Sequence, residues 1–140
     1  MGELRNVVEA LFEVEARGEA DVAARLYAPD VEFKGPMIEV HGRDGMKELV
    51  ESSHRAFPDM KREIITAAEE GDTIAVQIRS KGTHLGPLGF TGGEIPATGR
   101  PVDTESAIFI RVENGLVKSW HTFYDGRILM QQLGLAGVGG

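Results

Sequence analysis

Proton transfer is the chemistry that the residue types of this chain suit best, and Asp125, His121 and His84 are the side chains that could carry it. Side chains two apart on a strand share a face. Over Val117, Ser119, His121, Phe123 and Asp125, that rule puts an imidazole and a carboxylate on the inner side if Val117 points inward. Earlier in the chain Ile74, Val76 and Ile78 form a core-facing set, and Ser80, Gly82 and His84 continue its parity. A carboxylate with imidazoles beside one cavity could remove a proton next to a carbonyl and donate to the oxygen that becomes negative. An apolar surround would raise the carboxylate's pKa, a neighbouring imidazolium would lower it, and histidine itself titrates near neutrality. Asp125 has a second reading. It precedes Gly126 and Arg127 at a strand-to-helix junction, where aspartate commonly caps a helix N-terminus. His84 equally suits a hydrogen bond to backbone at the mouth of a Gly-rich loop. His41 and His54 read as surface or helix-flank residues. The four histidines show no i, i+4 or His-x-His spacing and cysteine is absent, so no metal site is expected.

These residues need a scaffold, and the pattern of apolar positions supplies one. Leu4, Val7, Val8, Leu11 and Phe12 fall on one helical face between Glu3 and Ala16. Gly18 interrupts that helix. A second, short one turns Ala23, Leu26 and Tyr27 inward and is predicted to close at Pro29. Val31 to Phe33 alternates as a short strand, and residues 34–43 form a loop punctuated by Gly and Pro. Asp44 is placed to cap a third helix bearing Met46, Leu49, Val50, Ser53 and Phe57, which Pro58 stops.

The period then changes to two. Strands are predicted at 61–68, 73–83, 102–112 and 116–125, with turns at Glu70-Gly71-Asp72 and Asn114-Gly115. Residues 84–100 are too long and too rich in Gly for a tight turn. They predict a flap whose Leu88 and Phe90 could serve as a lid. A last helical turn at 127–133 precedes a glycine-rich tail, 134–140, expected to fray. Helices followed by antiparallel strands define the α+β class. The expected architecture is a cone-shaped, curved antiparallel sheet packed on three N-terminal helices, a single domain over residues 1–140.

Composition narrows the partners. With 22 acidic against 15 basic residues the net charge is −7, and no basic run exists to grip phosphates. Nucleic acid and anionic membranes are therefore not expected as partners. No stretch approaches the roughly 18 apolar residues of a membrane span. The acid-rich N-terminus reads as part of the fold and not as an export signal. Lack of cysteine fits a cytoplasmic setting.

Four segments carry a resemblance. They are Gly42-Arg-Asp-Gly45 with Phe57-Pro-Asp59, then Gly82-Thr-His-Leu-Gly86, then Ile95-Pro-Ala-Thr-Gly-Arg100, and finally Arg111-Val-Glu-Asn-Gly-Leu-Val117 followed by Trp120-His121, Asp125 and Gln132-Leu-Gly134. In order and spacing they resemble the SnoaL-like polyketide cyclase family of the nuclear-transport-factor-2-like superfamily. Two departures stand out: Ala97 replaces a family proline, and residues 89–94 look inserted. The resemblance implies the cone fold, an intramolecular aldol cyclisation without metal or cofactor, and self-association as a homodimer. Asp125 matches the family's acid/base aspartate, and His84 matches the histidine of its Gly-Thr-His segment.

On this reading Phe33, Met37, Phe57, Leu88, Phe109 and Phe123 are the expected ligand-binding side chains, and Phe12 and Tyr27 add inward bulk. Trp120, Thr122 and Tyr124 have the opposite parity to Asp125. An outward Trp120 and Tyr124 near Gln77 and Arg79 would suit a dimer interface. The leading expectation is a cofactor-free cyclase or isomerase acting on an apolar, carbonyl-bearing small molecule. A hydrolase or dehydratase could use the same cone. An epoxide hydrolase would want a second inward aspartate beside Arg111 and Glu105, and none is evident. The remaining alternative is a non-catalytic ligand-binding or dimerisation module with a wholly apolar cavity, in which Asp125 caps a helix and His84 holds backbone. The directions of those two side chains discriminate the readings.

Overall fold

The first helix, α1 (Glu3–Ala16), turns Val8, Leu11 and Phe12 into the core at the expected spacing. In the computed structural model, which describes residues 2–135, Gly18 at a φ of 72° ends this helix and α2 (Ala20–Ala24) follows at once. α2 stops short of Pro29, because β1 (Tyr27–Lys34) already includes the proline. Pairing of β1 is irregular between Tyr27 and Glu32, so the missing N–H of Pro29 falls where the ladder is already interrupted. β2 (Glu39–His41) is a short edge strand on β1. Gly42, at a φ of 85°, leads into α3 (Arg43–Ala56). Asp44 is therefore not the cap; it lies in the first turn, where its charge complements the helix dipole.

The long strands are β3 (Lys61–Glu70) and β4 (Thr73–Thr83), then, after the small hairpin of β5 (Leu88–Phe90) and β6 (Gly93–Ile95), β7 (Pro101–Glu113) and β8 (Leu116–Phe123). The main sheet has the order β2-β1-β8-β7-β4-β3, and only the β1–β8 pairing is parallel. Its concave face packs on α1 and α3 through Ile74, Ile110, Val117 and Trp120. A fourth helix, α4 (Gly126–Gln132), extends the single turn expected at this end. Behind it Leu133 joins Ala56, Phe57 and Val102 in a second apolar cluster. The α+β cone is as expected, with four helices in place of three. Residues 136–140 of the tail expected to fray lie outside the described residues.

One register shift changes the reading of β8. Val112 pairs with Val117, but Arg111 pairs with Ser119, so Lys118 is an extra residue with no partner on β7. A bulge of this kind resets the alternation of side chains. Val117 and Trp120 both point inward, at 0% and 3% exposure. Everything beyond the bulge is therefore on the face opposite to that predicted from Val117.

The 84–100 excursion forms the predicted flap, folded as the β5–β6 hairpin. Its turn donates the Thr91 N–H to the Met37 carbonyl (2.9 Å), tying flap to the loop after β1. No helix among the described residues is long and apolar enough to cross a membrane.

Candidate functional site

A cavity of about 290 Å³ lies between the concave sheet face and α3. Met46, Leu49 and Val50 of α3, with Phe57 just after it, form its roof, and Phe33, Met37 and Ile38 close one side. Leu88 of the flap and Leu129 of α4 stand at its rim. The floor is the sheet. There the apolar residues give way to Ser80 on β4, Thr104 and Ser106 on β7, and Thr122 on β8, with Tyr124 just beyond. Mostly apolar walls with a few convergent polar groups are the usual composition of a ligand site.

The cavity wall also carries a charged cluster. Glu15 Oε2 accepts from the Tyr27 hydroxyl (2.6 Å) and Oε1 from Arg62 Nη2 (2.6 Å). The Arg62 guanidinium also sits 4.4 Å over the Phe12 ring. The Glu15 and Arg62 side chains are only 10% and 21% exposed, so each charge needs the other. Burial, and then the Glu15 charge, push the Tyr27 hydroxyl well above its ordinary pKa, so it stays a donor. Trp120 stands beside this cluster, with ring centroids 5.9 Å from Phe12, 6.4 Å from Tyr27 and 6.3 Å from Phe33. Its indole N–H donates to Thr122 Oγ1 (2.9 Å).

His54 is the imidazole in the cavity wall. It lies four residues beyond Val50 on α3, hence on the same helical face. Its ring presses on Gly18, where a Cβ would meet His54 Cδ2 at 2.6 Å, so a glycine is needed there for space as well as for its φ. The expectation that His54 lies on a helix flank is corrected by this placement. His41 is exposed, as expected.

The three predicted proton carriers do not meet. Asp125 caps α4: its Oδ1 accepts from the Arg127 N–H (2.9 Å), and the half-exposed side chain is not part of the cavity wall. His121 lies on the outer sheet face against Phe123, with centroids 4.2 Å apart. The position of His121 follows from the bulge at Lys118. His84 is fully buried behind Phe57, with ring centroids 5.4 Å apart. Its Nδ1 accepts from the Thr98 N–H (3.2 Å) and lies 2.9 Å from the Thr98 hydroxyl. That acceptor role puts the ring proton on Nε2, which has no partner among the described residues. Burial pushes the His84 pKa below its ordinary value.

A family model described as SnoaL-like domain matches residues 8–120. The chain belongs to the SnoaL-like domain family. Solved structures with the same fold cover nearly all of it. A candidate SnoaL-like polyketide cyclase from Jannaschia sp. CCS1 is 22% identical, with a TM-score of 0.80 over 94% of this chain and 91% of that one. AclR of Streptomyces galilaeus, a candidate hydroxylase, is 25% identical, with a TM-score of 0.76 over 96% and 97%. IdmH of Streptomyces antibioticus, a candidate polyketide cyclase, is also 25% identical, with a TM-score of 0.74 over 94% and 98%. No curated protein matches the chain.

Within this SnoaL-like cone, Phe33, Met37, Phe57 and Leu88, the expected ligand contacts, are in the cavity wall. Phe109 and Phe123 are not. They lie on the outer face at 50% and 48% exposure, edge-to-face at 5.9 Å. Conversely Trp120 and Tyr124, expected outside, line the cavity. Phe109 alternates with buried Ile108 and Ile110 on β7, so its parity was already outward; Phe123 and Tyr124 changed sides with the bulge. The residues that sequence reasoning missed were also patterned. Glu15 is three and four residues beyond Phe12 and Leu11, on the apolar face of α1, and Thr104 and Ser106 share parity with Ile108. Among the described residues no group of three or more His, Asp or Glu is arranged to hold a metal ion.

Proposed function

We propose that this SnoaL-like chain is a cofactor-free cyclase or isomerase acting on an apolar, carbonyl-bearing small molecule held inside the cone. The observation that carries the reading is the cavity itself: apolar roof, hydroxyl-bearing floor, and an imidazole in the wall. An intramolecular aldol step fits such a site because it needs no co-reactant. A base removes the proton beside one carbonyl, the carbanionic carbon bonds to a second carbonyl carbon, and the alkoxide takes the proton back. The product is an isomer of the substrate.

His54, the imidazole in the cavity wall, is the group best placed to hold and return the proton. Tyr124, whose hydroxyl burial pushes above its ordinary pKa, is kept protonated to donate to carbonyl oxygen. Glu15 is a poor base because both of its oxygens already accept hydrogen bonds. Asp125 would have to leave its helix cap to act. Purified protein incubated with aryl diketones able to close a ring should form a product of unchanged mass faster than buffer does. His54→Gln should cost about 100-fold in rate, and Asp125→Asn should leave the rate within about twofold. Full activity in His54→Gln, or loss in Asp125→Asn, would return the role to Asp125.

A second reading is favoured by one specific observation. Asp125 caps a helix and His84 bonds Thr98, as a non-catalytic ligand-binding module would have them. That module also calls for a wholly apolar cavity, which the floor hydroxyls and the Glu15–Arg62 pair oppose. Ligand binding without turnover across the diketone set would favour it. Self-association fits the outer face of β7 and β8, where Phe109, His121 and Phe123 take the part expected of Trp120 and Tyr124. Sedimentation of Phe123→Glu as a monomer beside a dimeric parent would support that interface.

A further inference from the structure

The sheet floor of the cavity mixes aliphatic and hydroxyl-bearing side chains: Ile78 and Ile108 face inward beside Ser80, Thr104, Ser106 and Thr122. Ser80 pairs directly with Thr104; Ser106, two residues along β7, lies opposite Ile78, and Thr122, opposite Ile108, is diagonal to Ser106. Directly paired side chains stand about 5 Å apart at Cβ, and Thr104 and Ser106 are about 7 Å apart along one face. The hydroxyls thus form a contiguous patch across three strands, beneath a roof of Leu49, Val50 and Phe57.

The patch is not used by the protein. Among the described residues Ser80, Thr104 and Ser106 make no side-chain hydrogen bond, whereas Thr83 and Thr98, beyond the cavity, hydrogen-bond to Asp59 and His84. Thr122 accepts from Trp120 and keeps its own proton to donate. The hydroxyls of Ser80, Thr104 and Ser106 are open to the cavity, so water or a ligand can satisfy them. The charges beside the patch, where Arg62 pairs with Ser80 across β3 and β4, cancel each other as the Glu15–Arg62 pair, so they offer no counter-ion to an ionised ligand.

We propose that Ser80, Thr104 and Ser106 determine ligand specificity, selecting a neutral, two-faced molecule with oxygen functions along one face and hydrocarbon on the other. This deepens the proposed function and rests on the cavity being the ligand site. It also suits the chemistry. A carbonyl only accepts hydrogen bonds, and the hydroxyl an aldol step makes from it also donates. Serine and threonine hydroxyls rotate to meet either, so substrate and product are both held.

The test is calorimetric titration with two probes of matched shape, dihydroxynaphthalene and dimethylnaphthalene, on the native protein and on Ser80→Ala/Thr104→Val/Ser106→Ala. The triple variant should bind dihydroxynaphthalene about 30-fold more weakly, at roughly threefold per hydroxyl lost, and dimethylnaphthalene as well as before or better. An equal change for both probes, an unchanged affinity for dihydroxynaphthalene, or no binding of either probe to the native protein would overturn the proposal. If the triple variant does not fold, Ser106→Ala alone should shift the ratio of the two affinities by about threefold. Since no turnover is measured, the catalytic reading can fail while this result stands, and the reverse.

Discussion

The two faces of β8 beyond its bulge differ more in consequence than in composition. Inward are Trp120 and Thr122, with Tyr124 following; outward are His121 and Phe123. Each face carries aromatic bulk and a polar group able to take part in proton chemistry. The inner face builds the cavity around a buried indole, and the outer face leaves an imidazole stacked on a half-exposed phenyl ring. One unpaired residue, Lys118, separates these outcomes. The lesson is that a strand's chemistry is assigned by register before it is assigned by residue type.

That contrast can be broken or sharpened by substitution. The largest effect belongs to Trp120→Ala, which should cost about 3–5 kcal/mol by emptying the centre of the aromatic cluster, read from denaturant unfolding. Next is Arg62→Met, which strands Glu15 in a largely buried site. About 2 kcal/mol is expected, below a fully buried pair because both partners keep some solvent contact. The double change Glu15→Gln/Arg62→Met should cost less than the sum of its parts. Asp125→Ala removes a cap and should cost about 1 kcal/mol. Phe123→Ala should stay within about 0.5 kcal/mol of the parent, as surface changes do. A loss for Phe123→Ala equal to that for Trp120→Ala would mean that the two faces are not as described.

His84 adds a pH test. Its pKa in the folded protein is below the ordinary 6.5, so the unfolded chain binds more protons between the two values. The effect is absent above about pH 6.5, where both states are neutral, and stability falls as pH drops through that value toward the folded pKa. Unfolding midpoints between pH 7 and pH 5 should therefore decline less in His84→Gln than in the parent. Parallel declines would remove His84 as the cause.

Most of the scaffold was legible because its signals are local: the helical face from Val8 to Phe12, the Asn114-Gly115 turn, the aliphatic alternation from Ile74 to Ile78. Pro29 and Asp44 were misplaced as helix boundaries because pairing and a positive-φ glycine overrode the local signal. The bulge was the costly omission, although a trace of it is visible. Val117 and Trp120 are three apart with Lys118 and Ser119 between them, and two buried residues so spaced cannot share a face of a regular strand. The charged cluster was hidden for a different reason. Glu15 and Arg62 are 47 positions apart, and nothing local to either announces the other.

The most direct test uses the chain's single tryptophan, which gives one indole N–H signal in a nitrogen–proton correlation spectrum and needs no assignment. Titration with dihydroxynaphthalene should move that signal in step with binding, because Trp120 is part of the cavity wall. Binding that shifts backbone signals elsewhere but leaves the indole in place would contradict the account.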